Sequence, residues 1–229
     1  GYGFLSESAD LARRCADAGI TFIGPDPDVL ERLGDKGAAR ELADSMGIAT
    51  VPGTPAGSDI ETVTGFVDGL TADGPSAGAI IKAAHGGGGR GMRVVRDRDA
   101  AAAAYESAQS EAKAAFGRDE VYVEALLRDP RHVEVQVIGD GSGAVSHLYD
   151  RDCSMQRRHQ KLIEIAPASA VAPRVRAEIA DAAVQMLGSL SYRGLATVEF
   201  LVAGDSWFFM EVNPRIQVEH TVTEEVTGR

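Results

Sequence analysis

The chain has 229 residues, 44% of them hydrophobic and 25% charged, enough to bury one large core or two small ones. Its formal net charge of -11 argues against nonspecific binding to nucleic acid or to a membrane, and no apolar run reaches the roughly 18 residues of a bilayer span. Cys15 and Cys153 form neither a disulfide framework nor a paired zinc site, and no secretory leader opens the sequence, so a reducing cytoplasm is the default compartment.

Gly1-Tyr-Gly-Phe-Leu-Ser-Glu7 leads into an amphipathic helix predicted over 7–18 and stopped by Gly19, then a short strand Thr21–Gly24. A helix and strand of this kind need a sheet to join, so an upstream α/β portion is expected. Helices follow over 26–33 and 36–46, the second ended by Gly47. Pro52–Gly57 is a linker by composition, and Ser58-Asp59-Ile60-Glu61 has the form of a capping box opening a helix to about residue 69. After a loop at 71–78 come a strand Ala79–Ala83, the segment His85–Gly91, a strand Met92–Val95 and an alanine-rich helix over 98–116 ended by Gly117. Val121–Glu124 and His132–Ile138 alternate as strands, and Asp140-Gly-Ser-Gly143 turns the second back into Ala144–Tyr149. A helix at about 174–189 precedes a hairpin pairing Ala196–Val202 with Trp207–Asn213. The irregular alternation of strands and helices, with several hairpins, suits an α+β arrangement better than a doubly wound sheet.

Four constellations can carry chemistry. In Gly86-Gly-Gly-Gly-Arg-Gly91 the backbone, free of Cβ atoms, can approach a polyphosphate closely. No Gly-Lys-Ser/Thr follows, so it is not a Walker loop, and the next element is a strand, so it is not a dinucleotide fingerprint. Alone it reads better as a flexible turn, but Lys82 in the apolar strand before it must reach an anion or leave the core. The second constellation is the last hairpin, where Glu199 and Glu211 each interrupt an apolar run and Asn213 lies one strand step beyond Glu211 on the same face. These are hard oxygen ligands suited to Mg²⁺ carrying a nucleotide; the competing reading is two carboxylates paired with arginines. The metal reading requires both carboxylates on one face. A four-residue loop, Ala203–Ser206, would oppose them, so a five-residue loop or a bulge is predicted, with Glu199 opposite Glu211.

Third, in Asn213-Pro-Arg-Ile-Gln-Val-Glu-His220, Arg215 offers a planar fork for an oxyanion, Glu219 a candidate base and Gln217 a neutral hydrogen-bonding group. Fourth, Arg151 and Gln156-Arg-Arg-His-Gln-Lys161 concentrate positive charge in an acidic chain. With one tryptophan, five tyrosines and seven phenylalanines overall, the aromatic interleaving of a single-strand nucleic-acid binder is missing, so a small anionic ligand fits this stretch better than an RNA-binding patch or an exposed basic loop. Cys153 reads as structural, because no base stands beside it in the sequence.

Together these segments resemble the biotin carboxylase family almost end to end. The resemblance is carried by Gly1–Glu7, Phe22-Ile-Gly-Pro25, Gly34-Asp-Lys36, Gly86–Val95, Pro130-Arg-His-Val-Glu134, Arg151–Lys161 and Asn213–Glu225; His147–Ser154, Glu164-Ile-Ala-Pro167 and His220–Glu225 look closest to its pyruvate carboxylase branch. The resemblance implies an ATP-grasp fold, two α+β halves holding ATP between them. The implied division is 1–50 as the tail of an N-terminal domain with connecting helices, 51–126 as a small glycine-loop subdomain and 127–229 as a truncated C-terminal subdomain.

It also implies a ligase. Bicarbonate is deprotonated and attacks the γ-phosphate of ATP, giving ADP and carboxyphosphate; CO₂ from the latter carboxylates N1 of biotin held on another domain. By resemblance, Lys36 and Lys82 contact phosphate, as do Gly88 and Gly89 at the loop tip. Glu124 and the backbone of Ala125, Leu126 and Leu127 meet the adenine edge, and His132, Gln156 and His159 make further nucleotide contacts. Glu199, Glu211 and Asn213 hold Mg²⁺ or Mn²⁺. Lys161, Arg215, Gln217 and Val218 line the bicarbonate and biotin pocket, Glu219 is the general base, and Arg215 holds the enolate of biotin. The implied partners are a biotin carboxyl carrier domain and a carboxyltransferase serving pyruvate or an acyl-CoA, in a homo-oligomer, with no nucleic acid and no membrane. Ala125 departs from the family, where lysine is common, and so does Pro214. A carbamoyl-phosphate-synthetase-like enzyme and a nucleotide-binding fragment without turnover are the alternatives.

Overall fold

In the computed structural model, residues 1–72, 78–84, 92–157 and 160–228 are described. Gly88 and Gly89 of the glycine run, and His159 of the basic stretch, lie outside them. The chain divides into two compact units: Gly1–Thr50 with Arg131–Arg157 and Lys161–Arg229, and Val51–Pro130 with Arg158–Gln160.

The second unit starts from the Asp59 carboxylate, which accepts from the Thr62 amide at 2.8 Å and caps α4 (Ile60–Ala72). The N-cap is therefore Asp59 alone, one residue later than the expected capping box would place it, because the Ser58 hydroxyl turns back to the Pro55 carbonyl at 2.8 Å. Strands β1 (Ala79–Ala83), β2 (Arg93–Val95) and β3 (Val121–Ala125) form an antiparallel sheet ordered β2-β1-β3. α5 (Arg98–Phe116) is capped by Asp97, which accepts from the Ala100 amide at 2.7 Å, and is stopped by Gly117 at φ 74°. The apolar sides of α4 and α5 (Val63, Val67, Ala101, Tyr105 and Ala108) pack on Ala79, Ile81, Val95, Val121 and Val123. The linker lies along β3: Gly53 bridges Glu124, and a Cβ there would meet the Val123 carbonyl at 2.5 Å, so only glycine fits without a shift.

In the first unit, α1 (Ala9–Asp17), α2 (Pro27–Gly34) and α3 (Lys36–Ser45) match the predicted helices within two residues at each end. Ser8 caps α1 and Asp35 caps α3. The expected strand at 21–24 is absent from the described residues, since nothing there supplies the ladder a strand needs. The sheet comprises β4 (Arg131–Asp140), β5 (Val145–Arg157), β6 (Gln160–Ile165), β7 (Arg193–Ala203) and β8 (Ser206–Asn213), ordered β6-β5-β4-β7-β8. β5 runs eight residues beyond the sequence expectation, and β6 and α7 (His220–Thr227) were not legible as elements.

Valines at 133, 135 and 137 alternate inward on β4, facing Ala196, Val198 and Phe200 across the β7 ladder. α6 (Pro173–Gly188) lays Val175, Ile179, Ala183, Met186 and Leu187 on that face, and α2 and α3 complete the core. Residues 49–50 run along β8, where the Phe209 amide donates to the Ala49 carbonyl at 2.7 Å and screens the sheet edge.

Candidate active site

The opposite face of the five-stranded sheet carries the charges. The β7–β8 hairpin turns on only Gly204 and Asp205, since Ala203 pairs with Ser206. Continued regularly, that register would set Glu211 against Val198, on the apolar side. A β-bulge between Glu199 and Phe200 inserts Met210 as an extra residue and restores Glu199 opposite Glu211 and Thr197 opposite Asn213. The bulge is the alternative that the sequence pattern demanded. Without it two polar groups enter the core and Val212 leaves it, each at a penalty of a few kcal/mol.

Lys161, at the start of β6, sits among three carboxylates. Its Nζ bonds to Glu134, meets Glu199 Oε1 at 3.0 Å and lies 3.7 Å from Glu219 Oε1. Burial works against the Lys161 charge, but Glu199 and Glu134 outweigh it, and the ammonium is held well above its ordinary range. Glu199 is 3% exposed, and burial opposes its charge as well. The hydrogen bond from His132 (Nε2 to Oε2, 2.5 Å) and Lys161 prevail, lowering its carboxyl to about 2. Asn213 Nδ2 donates to Glu199 Oε1 at 2.8 Å. Gln156 spans His132 Nδ1 at 2.7 Å and the Cys153 carbonyl at 2.9 Å, fixing the imidazole from its far side.

Glu211 pairs with Lys36 at 3.0 Å, both side chains about one-third exposed. Lys36 opens α3, where the helix dipole disfavours a cation, so a carboxylate partner is expected. Arg215 bonds to Glu7, to the Ile216 carbonyl at 3.2 Å and to Asn213 Oδ1 at 3.5 Å. Gln217, 6% exposed, accepts the Thr197 hydroxyl, while Val218 is exposed. In the second unit, Lys82 bonds to Glu124, its diagonal neighbour across β1 and β3. Its backbone there is partly engaged: the Ala125 amide donates to Pro52 at 2.8 Å and the Leu126 amide to Gly78 at 2.9 Å, and Leu127 follows in the loop after β3.

The buried partners of Arg151 escaped the reading of separate motifs. Arg151 is fully buried and pairs with Glu134 (Nε to Oε1, 2.6 Å), Gln136 (3.0 Å) and Thr223 on α7 (2.7 Å). Read along the strand, Val133-Glu-Val-Gln-Val137 alternates like a half-exposed strand, and only the second layer from residues 213–227 buries its polar side. Cys153 is also fully buried, and burial with Glu134 drives its thiol far above the usual range, so it is no nucleophile at neutral pH.

A buried ammonium amid carboxylates, beside hard oxygen donors on one face, suits the handling of anions and a divalent cation. Two family models match: the carbamoyl-phosphate synthase L chain ATP-binding domain over residues 35–229, and the biotin carboxylase N-terminal domain over residues 1–30. The pyruvate carboxylase of Bacillus subtilis is 53% identical over 231 residues, covering 100% of this chain and 20% of that protein. The chain belongs to the biotin carboxylase family. Among solved structures, the biotin carboxylase of Campylobacter jejuni in complex with β,γ-ATP is 43% identical with a TM-score of 0.92, covering 100% of this chain and 51% of that one. The biotin carboxylase domain of Hydrogenobacter thermophilus 2-oxoglutarate carboxylase, in complex with MgADP, ADP and bicarbonate, is 42% identical with a TM-score of 0.90, covering 100% and 50%. The chain thus spans about a fifth of the first relative and about half of the solved biotin carboxylases. Its fold is the α+β ATP-grasp of this family. No described helix is long and apolar enough to cross a membrane.

Proposed function

We propose that this chain is the ATP-activating part of a biotin-dependent carboxylase, converting bicarbonate and ATP to carboxyphosphate and ADP for the carboxylation of carrier-bound biotin. The observation that supports it best is Lys161 held between Glu134, Glu199 and Glu219, with Glu211 and Asn213 on the same sheet face as Glu199. Glu199, Glu211 and Asn213 would hold Mg²⁺ or Mn²⁺, their oxygen donors being of the right hardness. Bound there, the cation would neutralise charge on the transferring phosphoryl group.

The protein's own groups account for the rest. Glu219 takes the proton of bicarbonate: its O–H bond breaks, a Glu219 O–H bond forms, and the carbonate oxygen becomes the nucleophile toward the γ-phosphorus as the bond to ADP breaks. Lys161 and Arg215 bind and orient the carbonate, and Gln217 and Val218 shape its pocket. Lys36, Lys82, Gly88 and Gly89 serve the phosphates. Glu124 and the backbone of Ala125–Leu127 serve the adenine, with His132, Gln156 and His159 as further nucleotide contacts. Curated relatives named pyruvate carboxylase at 53% and 52% identity favour pyruvate as the final acceptor, with carrier and carboxyltransferase domains as partners.

The test is bicarbonate-dependent ATP hydrolysis by the natural full-length protein, stimulated by free biotin. Glu219→Gln lowers kcat by at least about a hundredfold, with ATP affinity within about twofold of wild type. Hydrolysis indifferent to bicarbonate overturns the reading, and lost ATP affinity in the variant overturns the role of Glu219. The matched model named for carbamoyl-phosphate synthase supports a second reading, in which free biotin has no effect.

A further inference from the structure

Gly1–Glu7 carries part of the family resemblance, yet none of its residues takes part in the chemistry proposed above. Its last side chain crosses 208 residues of sequence to reach the site: the Glu7 carboxylate accepts from Arg215 Nε. A guanidinium has five N–H groups. Here one on Nε goes to Glu7, one on Nη1 to the Ile216 carbonyl at 3.2 Å and one on Nη2 to Asn213 Oδ1 at 3.5 Å. Each terminal nitrogen therefore keeps one hydrogen for an oxyanion.

The three anchors are not equivalent. The Asn213 contact is the longest, and its oxygen is the one the cation would take. The Ile216 carbonyl belongs to the neighbouring residue and moves with the same loop. Glu7 alone of the three comes from elsewhere in the chain, and it is itself held. The Ser6 amide donates to the Gly3 carbonyl at 3.1 Å and the Ser8 amide to the Leu5 carbonyl at 3.0 Å. The Ser8 hydroxyl then caps α1, accepting from the Leu11 amide at 3.2 Å. Arg13 ties α1 to α2 through Glu31 at 2.6 Å and Asp28 at 3.1 Å, and Leu33 of α2 lies in the core.

We propose that Glu7 is a positioning residue for Arg215: it holds the guanidinium by Nε, so that the terminal nitrogens present their free hydrogens to the carbonate. The role rests on Arg215 binding that anion. Without Glu7 the long arginine side chain regains rotamers that take its head out of reach, and the loss falls on the encounter with bicarbonate rather than on ATP. With Glu7 39% and Arg215 23% exposed, the pair adds little to folding, so its removal is read in catalysis.

The measurement is bicarbonate-dependent ATP hydrolysis by the natural full-length protein, for wild type, Glu7→Ala, Glu7→Gln and Arg215→Ala. Glu7→Ala lowers kcat/KM for bicarbonate about tenfold, with KM for ATP within about twofold of wild type, which also reports an intact fold. Glu7→Gln keeps an oxygen that accepts from Nε, and it recovers kcat/KM to within about threefold of wild type. If Glu7→Ala matches wild type while Arg215→Ala is impaired, the positioning role is overturned and Arg215 stands. If Glu7→Gln is as impaired as Glu7→Ala, the carboxylate charge matters and not the held Nε, which overturns the role as well. Wild-type constants for bicarbonate in Arg215→Ala remove Arg215 from the site, and this inference with it.

Discussion

On one face of the five-stranded sheet, Val133, Val135, Val198 and Phe200 meet the apolar side of α6; on the other, Glu134, Gln136, Arg151, Thr197 and Glu199 are buried just as deeply beneath residues 213–227 and α7. The same strands thus supply both a core of dispersion contacts and a core of ion pairs. The first tolerates an error in proportion to the volume lost. The second does not, because each charge removed strands another in a medium that cannot solvate it. The consequence for function is rigidity: Lys161 is held by Glu134, which Arg151 holds in turn, so substrate anions meet a prearranged field.

Breaking the charged face at its centre gives the largest effect. Arg151→Met leaves Glu134 with Lys161 alone and takes the donors from Gln136 and Thr223. The opening free energy of β4 and β7 amides, read by hydrogen exchange in the natural full-length protein, falls by about 3–5 kcal/mol. Adding Glu134→Leu restores most of it, because an apolar pair of similar volume replaces a buried ion pair at little net penalty. Turnover is not restored, since Lys161 then lacks one of the three carboxylates that hold it. A single variant as stable as wild type would show that the buried charges do not depend on one another.

The apolar face was legible in the sequence and the charged face only in fragments, for a physical reason. Valines at alternate positions of β4 and the helical spacing of Val175, Ile179 and Met186 mark one buried side without reference to the rest of the chain. Arg151, Arg157 and Lys161 instead read as a basic stretch for a small anion and not as strands, because the carboxylates that allow β5 and β6 to be strands stand elsewhere in the sequence. Glu134 is 17 residues from Arg151 and Glu199 is 38 from Lys161. The Glu199–Glu211 register was legible because its constraint is local: a short hairpin, two carboxylates and an apolar background leave a bulge as the remedy. The strand expected at 21–24 failed because alternation in four residues cannot report whether a neighbour exists.

A gentler test compares the two covers rather than the two faces. Thr223 on α7 donates nothing to the apolar core; its hydroxyl accepts from Arg151 at 2.7 Å. Thr223→Val keeps the shape and removes that acceptor for a buried guanidinium, lowering the opening free energy of β4 and β5 amides by about 1.5–3 kcal/mol. It also reduces kcat several-fold, because Arg151 is freer to turn and Glu134 with it.

Ile179→Val on α6 removes one methylene group from the opposite cover, at a fully buried position. The expected loss is about 0.5–1.5 kcal/mol, the smallest of the series, with kcat and both KM values unchanged. Thr223→Val keeps its volume while Ile179→Val gives up a methylene group, so packing alone predicts the larger loss at Ile179. If Thr223→Val is the milder of the two in hydrogen exchange, or if Ile179→Val lowers kcat, the two faces are not the separate devices argued for here. If the order holds, the difference measures what it takes to keep a charge beneath a helix rather than a hydrocarbon.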